Sequence, residues 1–168
     1  MKKLTFALLL MPIFAMSQKL AEDKVDEFTK LSVKRTSWEP FSRANGFWCY
    51  VRTGKIEGNY LLYLRFLTGS ILSVQKDAAI MLKAGKDSII SLSNLDYSVS
   101  CTGCGAIGLN GSGAPGIELK CHIPSDVYSY LIDNKVTKVR IYTSSGYVEH
   151  DIKEKFADVL VDELKLVK

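Results

Sequence analysis

Histidine is nearly missing from this chain, which holds two, His122 and His150, in 168 residues. No HExxH, GxSxG or CxxCH motif occurs, and no paired-carboxylate spacing, so zinc-hydrolase, serine-hydrolase and haem-attachment signatures are excluded. Charge of one sign is missing as well: 22 basic residues stand against 18 acidic, whereas a nucleic-acid-binding domain is expected to be strongly basic. With four prolines, no internal repeat and no low-complexity linker, nothing marks a second domain. Beyond residue 17 no apolar run approaches the roughly 20 residues that a bilayer-crossing helix needs.

What is present begins with MKKLTFALLLMPIFAMSQ. Lys2 and Lys3, an apolar run from Leu4 to Phe14, and small residues Ala15 and Ser17 form the pattern of a secretory signal peptide cleaved before Gln18. No cysteine follows closely enough for lipid modification. The expectation is an exported chain, periplasmic or secreted, with residues 1–17 removed and 18–168 folded as one β-rich domain. Loss of the two lysines leaves 20 basic and 18 acidic side chains.

Hydrophobic periodicity then predicts mostly strands. Residues 19–30 are charged and weakly periodic, a short helix or an ordered arm. Strands are expected over 31–38, stopping before Pro40, and over 47–54 and 60–67, the last apolar on both faces as a central strand is. Residues 71–74, a hairpin over 78–94 turning at Gly85-Lys86-Asp87, 97–101, 117–123, and a hairpin 135–143/147–152 complete the set. A short helix is expected near 126–132, with Ser125 as N-cap and Val127, Tyr130 and Leu131 on one face. An amphipathic helix is expected over 152–166, capped by Asp151 with Glu154 three residues on. The fold class is mainly β (α+β): an antiparallel β-sandwich or a barrel-like sheet, with the terminal helix over one face or end.

The stretch Cys101–Cys121 holds three of the four cysteines and six of the twelve glycines. In an oxidising compartment, Cys49, Cys101, Cys104 and Cys121 are disulfide candidates. A hairpin turning over Asn110–Pro115 sets Cys104 opposite Cys121 and leaves Cys49 with Cys101; the competing arrangement is Cys101–Cys104 with Cys49–Cys121. A redox reading of Cys101-Thr102-Gly103-Cys104 lacks the helix N-terminus that lowers a thiol pKa, because glycines follow. Zinc held by Cys101, Cys104, Cys121 and His122 is disfavoured, since adjacent strand residues face opposite ways. Gly111–Gly116 matches GxGxxG but leads into a strand, so it reads as a turn rather than a phosphate loop. No cofactor and no metal is expected.

Lys138, Arg140 and Tyr142 share one face of a strand. They are either an ordinary solvated face or a small site for an acidic glycan, a lipid headgroup or a protein carboxylate. Trp38, Phe41, Phe47, Trp48, Tyr50, Tyr60 and Tyr63 concentrate aromatic area in the first third; most are expected in the core.

The run VTKVRI-YTSSGYVEHDI, preceded by CTGCGAIGLNGSGAPG, resembles small secreted proteins of Bacteroidota over about residues 97–168. The resemblance implies export and no particular activity. The function expected is therefore a non-enzymatic exported domain binding a ligand, glycan or envelope partner, with thiol–disulfide or metal-dependent chemistry at Cys101/Cys104 as the alternative.

Overall fold

The computed structural model describes residues 19–44 and 47–168; the signal peptide expected over 1–17 and the Asn45-Gly46 turn lie outside them. The strands are β1 (Leu20–Val25), β2 (Ser32–Thr36), β3 (Glu39–Ala44), β4 (Phe47–Ile56), β5 (Asn59–Leu67), β6 (Ser73–Val74), β7 (Ala79–Ala84) and β8 (Ser88–Ser93). Then follow β9 (Ser98–Val99), β10 (Cys101–Thr102), β11 (Pro115–Ile123), helix α1 (Ser125–Leu131), β12 (Val136–Thr143), β13 (Gly146–Asp151) and helix α2 (Val159–Leu166). The larger sheet runs β1-β2-β4-β5-β11-β10, with β3 also paired to β4; the smaller runs β13-β12-β7-β8. A two-stranded ribbon pairs β6 with β9; all pairings are antiparallel, and both main sheets end in open edges, so the fold is a sandwich and not a closed barrel.

Alternation along the strands builds one core. The register Val51↔Leu64↔Leu119 sets these side chains on a common face with Leu62, Phe66 and Ile117. They meet Ile80, Leu82, Val139 and Ile141 of the smaller sheet in a single buried cluster. Each such side chain contributes about 1.5–3 kcal/mol on leaving water. β5 is buried on both faces, as its apolar sequence predicts: Leu61 and Tyr63, which point away from the core, are only 6% and 5% exposed.

The hairpin β7–β8 turns at Gly85 (φ 60°) as expected, with Ala84 opposite Ser88. Two strands were not readable. β1 is polar and almost wholly exposed, an edge strand with no apolar face. β3 carries Pro40, predicted to stop a strand. Proline is tolerated there because β3 pairs on one side only and is irregular between Pro40 and Ser42.

The terminal helix is shorter than its periodicity predicts. The Ile152 N–H bonds to the Thr137 carbonyl, extending the β13 ladder, and Asp151 is drawn to Lys138 at 3.1 Å instead of capping. A single 3-10 turn at Glu154–Phe156 intervenes before α2 begins at Val159. The stripe still packs, with Leu160, Leu164 and Val167 fully buried and Phe156 only partly so. Helix α1 lies within a residue of its expected bounds but buries Tyr128 and Leu131, and no side chain caps it. Tyr128 stacks on Tyr60 at 3.8 Å and donates to the Leu164 carbonyl, tying α1, α2 and β5 together at one end of the sandwich.

Candidate ligand-binding cleft

Along β5 the chain runs from Tyr60, under α1, to Leu67, about 23 Å away at the rise of an extended strand. At that far end the segment 68–72 faces the β12–β13 hairpin, joined by Ser144 N–H donating to the Ser73 carbonyl at 2.8 Å. Between them lies a cleft of about 320 Å³ with Leu67, Leu72 and Val148 as apolar wall and Ser70, Ser145 and Tyr147 at its polar side.

Two polar groups at this cleft are buried without partners. His150 is 4% exposed and Thr68 5%, and neither His150 Nε2 nor Thr68 Oγ1 has a hydrogen-bond partner among the described residues. His150 is held by the edge of Phe66, ring centres 5.9 Å apart. Burial lowers its pKa below the ordinary imidazole value, opposed by the charge of Asp151, so the ring is neutral at neutral pH. Thr68 is fixed through its backbone, whose N–H donates to the Pro115 carbonyl. A buried hydroxyl or imidazole nitrogen left unpaired costs about 1–3 kcal/mol. Both residues line the cleft with these two atoms closed to solvent, so an occupant that bonds to them, donating or accepting, must displace a neighbouring side chain.

The predicted face of Lys138, Arg140 and Tyr142 does form, across β12 from Asp151, Glu149 and Tyr147. Its cations, however, are already engaged. Lys138 Nζ lies 2.6 Å from Glu149, and Arg140 reaches the same carboxylate through Nε at 2.8 Å and Nη2 at 2.6 Å. These bonds hold the Glu149 carboxyl below its usual range. The face is largely neutralised within itself, so the solvated-face reading fits it better than an anion site. Arg140 lies 4.6 Å from the Tyr147 ring centre, placing this ion-paired cluster against the rim of the cleft.

The leading pairing, Cys104–Cys121 with Cys49–Cys101, is corrected, and of the competing arrangement the Cys101–Cys104 half is the one present. Cys101 and Cys104 form a disulfide, Cα atoms 5.3 Å apart, while Cys49 and Cys121 are free and buried. The hairpin register is Cys101↔Gly116, so residue 104 lies within the turn and not opposite Cys121. Cys121 instead faces Leu62 and Cys49 faces Phe66. Two strand spacings across and four residues along separate them by roughly 16 Å, far beyond the ~7 Å limit for a bridge. That excludes Cys49–Cys121 too. Burial pushes both free thiols up to about 12, which keeps them protonated and inert.

The glycine-rich stretch is a compact series of turns closed by the bond from Gly103 N–H to the Ala114 carbonyl. Two of its glycines are required by contact: a Cβ on Gly105 would sit 2.5 Å from the Phe66 carbonyl, and one on Gly116 still closer to Gly105. Three backbone segments meet there, and Gly111–Gly116 leads into β11 as a turn does. His122 is exposed on β11, and no cluster able to hold a metal ion occurs among the described residues.

Of the early aromatics, Phe41, Tyr50 and Tyr63 are buried, and Trp38, Trp48 and Tyr60 half-buried. Sequence reasoning passed over Thr68, which lies between the strands expected at 60–67 and 71–74, and Glu163, which lies at i+3 from Leu160 beside Leu164 and Val167. That helical position was the available signal.

No family model matches the chain, and neither a curated protein nor a solved structure matches it.

Proposed function

We propose that the protein is an exported, non-enzymatic binding domain whose ligand is a neutral, hydroxyl-rich molecule, such as a glycan, seated in the cleft between segment 68–72 and β13. The observation carrying this reading is the pair of buried, unpartnered groups, His150 Nε2 and Thr68 Oγ1, at one apolar-walled cleft. A hydroxyl both donates and accepts, and so completes either group whichever tautomer His150 adopts. Tyr147, 57% exposed at the rim, offers a ring face to the apolar side of a sugar. Against catalysis, His150 has no hydrogen bond to a nucleophile or to an orienting carboxylate among the described residues, and Asp151 points to the opposite sheet face with Lys138. Export rests on the N-terminal pattern, supported by the Cys101–Cys104 bond.

Titration calorimetry with a panel of neutral oligosaccharides tests this. Saturable binding that His150→Phe abolishes, with the melting temperature kept, is the expected result. Binding unchanged in that variant, or no binding across the panel, overturns it.

A second reading has one observation in its favour: Cys101 is exposed, so an incoming thiolate can reach the disulfide. Exchange with a dithiol substrate is expected under that reading to be abolished by Cys101→Ser. If the bond is structural, it resists reduction in the native protein.

A further inference from the structure

The outer face of the larger sheet, turned away from both core and cleft, carries an arrangement that packing does not explain. Register places Arg52 of β4 beside Tyr63 of β5, and Arg65 of β5 beside Glu118 of β11. The Arg52 guanidinium carbon lies 4.6 Å from the ring centres of both Trp38 and Tyr63, and Arg65 lies 4.4 Å from Trp38. Glu118 is taken by Arg65, through Nε at 3.1 Å and through Nη2. Its other oxygen is 3.6 Å from Arg52 Nη2, too far for a hydrogen bond. Arg35 is occupied by Glu22 at 2.7 Å.

Arg52 is thus the one cation of the three that makes no hydrogen bond among the described residues, and its Nε is buried. Two aromatic contacts hold it in place, and 24% of the side chain reaches solvent, so a ligand can approach. Desolvation and the charges of Arg35 and Arg65 lower its pKa, while Glu118 and Tyr63 only partly offset them. A partly desolvated guanidinium fixed in position, whose Nη donors make no hydrogen bond among the described residues, matches a planar carboxylate, which accepts two parallel N–H bonds. Trp38, half-buried beside it, supplies an apolar platform next to that carboxylate.

We propose that this face is a second binding site, in which Arg52, clamped between Trp38 and Tyr63, receives the carboxylate of a uronic acid residue in an acidic polysaccharide. It stands apart from the cleft and does not depend on it.

The test is calorimetry at low salt on the exported chain carrying His150→Phe, which silences the cleft, with trigalacturonate as probe and the neutral galactose trimer as comparison. Trigalacturonate is expected to bind and the neutral trimer to bind at least tenfold more weakly, since the discriminating contacts are charged hydrogen bonds. Arg52→Gln should lower affinity for trigalacturonate by tenfold or more. Lys138→Gln, on the other sheet, should leave it unchanged. If Arg52→Gln does not fold, Arg52→Lys keeps charge and stem but loses the fork, and weakened binding by that variant serves the same purpose. Equal binding by the His150→Phe chain and its folded Arg52 variant, or equal binding of the two trimers, overturns the site. A tri-glutamate peptide bound as tightly as trigalacturonate overturns the sugar assignment.

Discussion

Replacing Glu163 by Gln should flatten the dependence of stability on pH. Glu163 is fully buried on the inner face of α2. Its Oε2 accepts from Thr36 Oγ1 and, at 3.3 Å, from Thr53 N–H, while Oε1 has no partner among the described residues. No cation is near enough to pair with it among the described residues. Desolvation therefore pushes its pKa up to about 8, the Thr53 N–H acting the other way. The carboxyl is neutral in the folded protein at neutral pH and ionised in the unfolded chain, whose pKa is near 4.5. Raised folded pKa means that the folded state binds the extra proton. Its stabilising effect is full below about pH 4.5, declines as pH rises, and is gone above pH 8. The slope approaches about 1.4 kcal/mol per pH unit, on the order of 4 kcal/mol over the window. Gln has nearly the same shape, keeps an oxygen for Thr36, and does not titrate. Urea unfolding of both proteins at pH 5, 7 and 8.5, followed by tryptophan fluorescence, gives the difference directly, and subtraction cancels every other titrating group. Glu163→Gln is expected to gain about 2–4 kcal/mol on wild type between pH 5 and 8.5. A difference constant to within ~0.5 kcal/mol would refute the reasoning and mean that the carboxylate is ionised in place.

Thr68→Val should raise stability by about 1 kcal/mol by removing a buried hydroxyl without a partner, while weakening ligand binding; a drop in melting temperature counts against the cleft as described. His150, its pKa depressed by burial, contributes stability that is full above about pH 6.5 and lost as pH falls through its lower folded value. His150→Phe should therefore be less sensitive than wild type to acid unfolding below pH 6.5, as read in urea titrations. Leu160→Ala, at a fully buried position on α2, should cost about 2–5 kcal/mol in the same assay. Cys104→Ser should free Cys101 alone and cost about 2 kcal/mol, the entropy of so small a ring; thiol labelling with peptide mapping reads the first and urea unfolding the second.

Where a strand alternates over its length or is buried on both faces, its sequence announced it. β5, the β7–β8 hairpin and β12–β13 were all legible from alternation and turn residues, and so was the shared face of Lys138, Arg140 and Tyr142. Edges were not. β1 buries nothing and has no period to read, and β3 tolerates Pro40 because one side of it is unpaired. The α2 boundary was missed because Asp151, which matches a helix cap locally, is taken by Lys138 across a ladder that local pattern does not reveal. The leading disulfide pairing, Cys104 with Cys121, failed for a related reason. A turn over 103–114 instead of 110–115 shifts the register by eight residues in the pairing sum, and glycines fix neither choice. Neither buried group at the cleft has a sequence signature: the isolation of His150 Nε2 and Thr68 Oγ1 is a property of what surrounds them.

The central claim is that a hydroxyl-rich ligand completes His150 and Thr68, and the most direct measurement follows the His150 ring itself. In a ¹⁵N-labelled sample titrated with the tightest neutral oligosaccharide, the Nε2 resonance should move saturably. Backbone shifts should be confined to residues 67–72 and 143–150, and Thr68→Val should weaken the response. Saturable binding with the His150 ring resonance unmoved, or with shifts centred on any other part of the sandwich, contradicts the account.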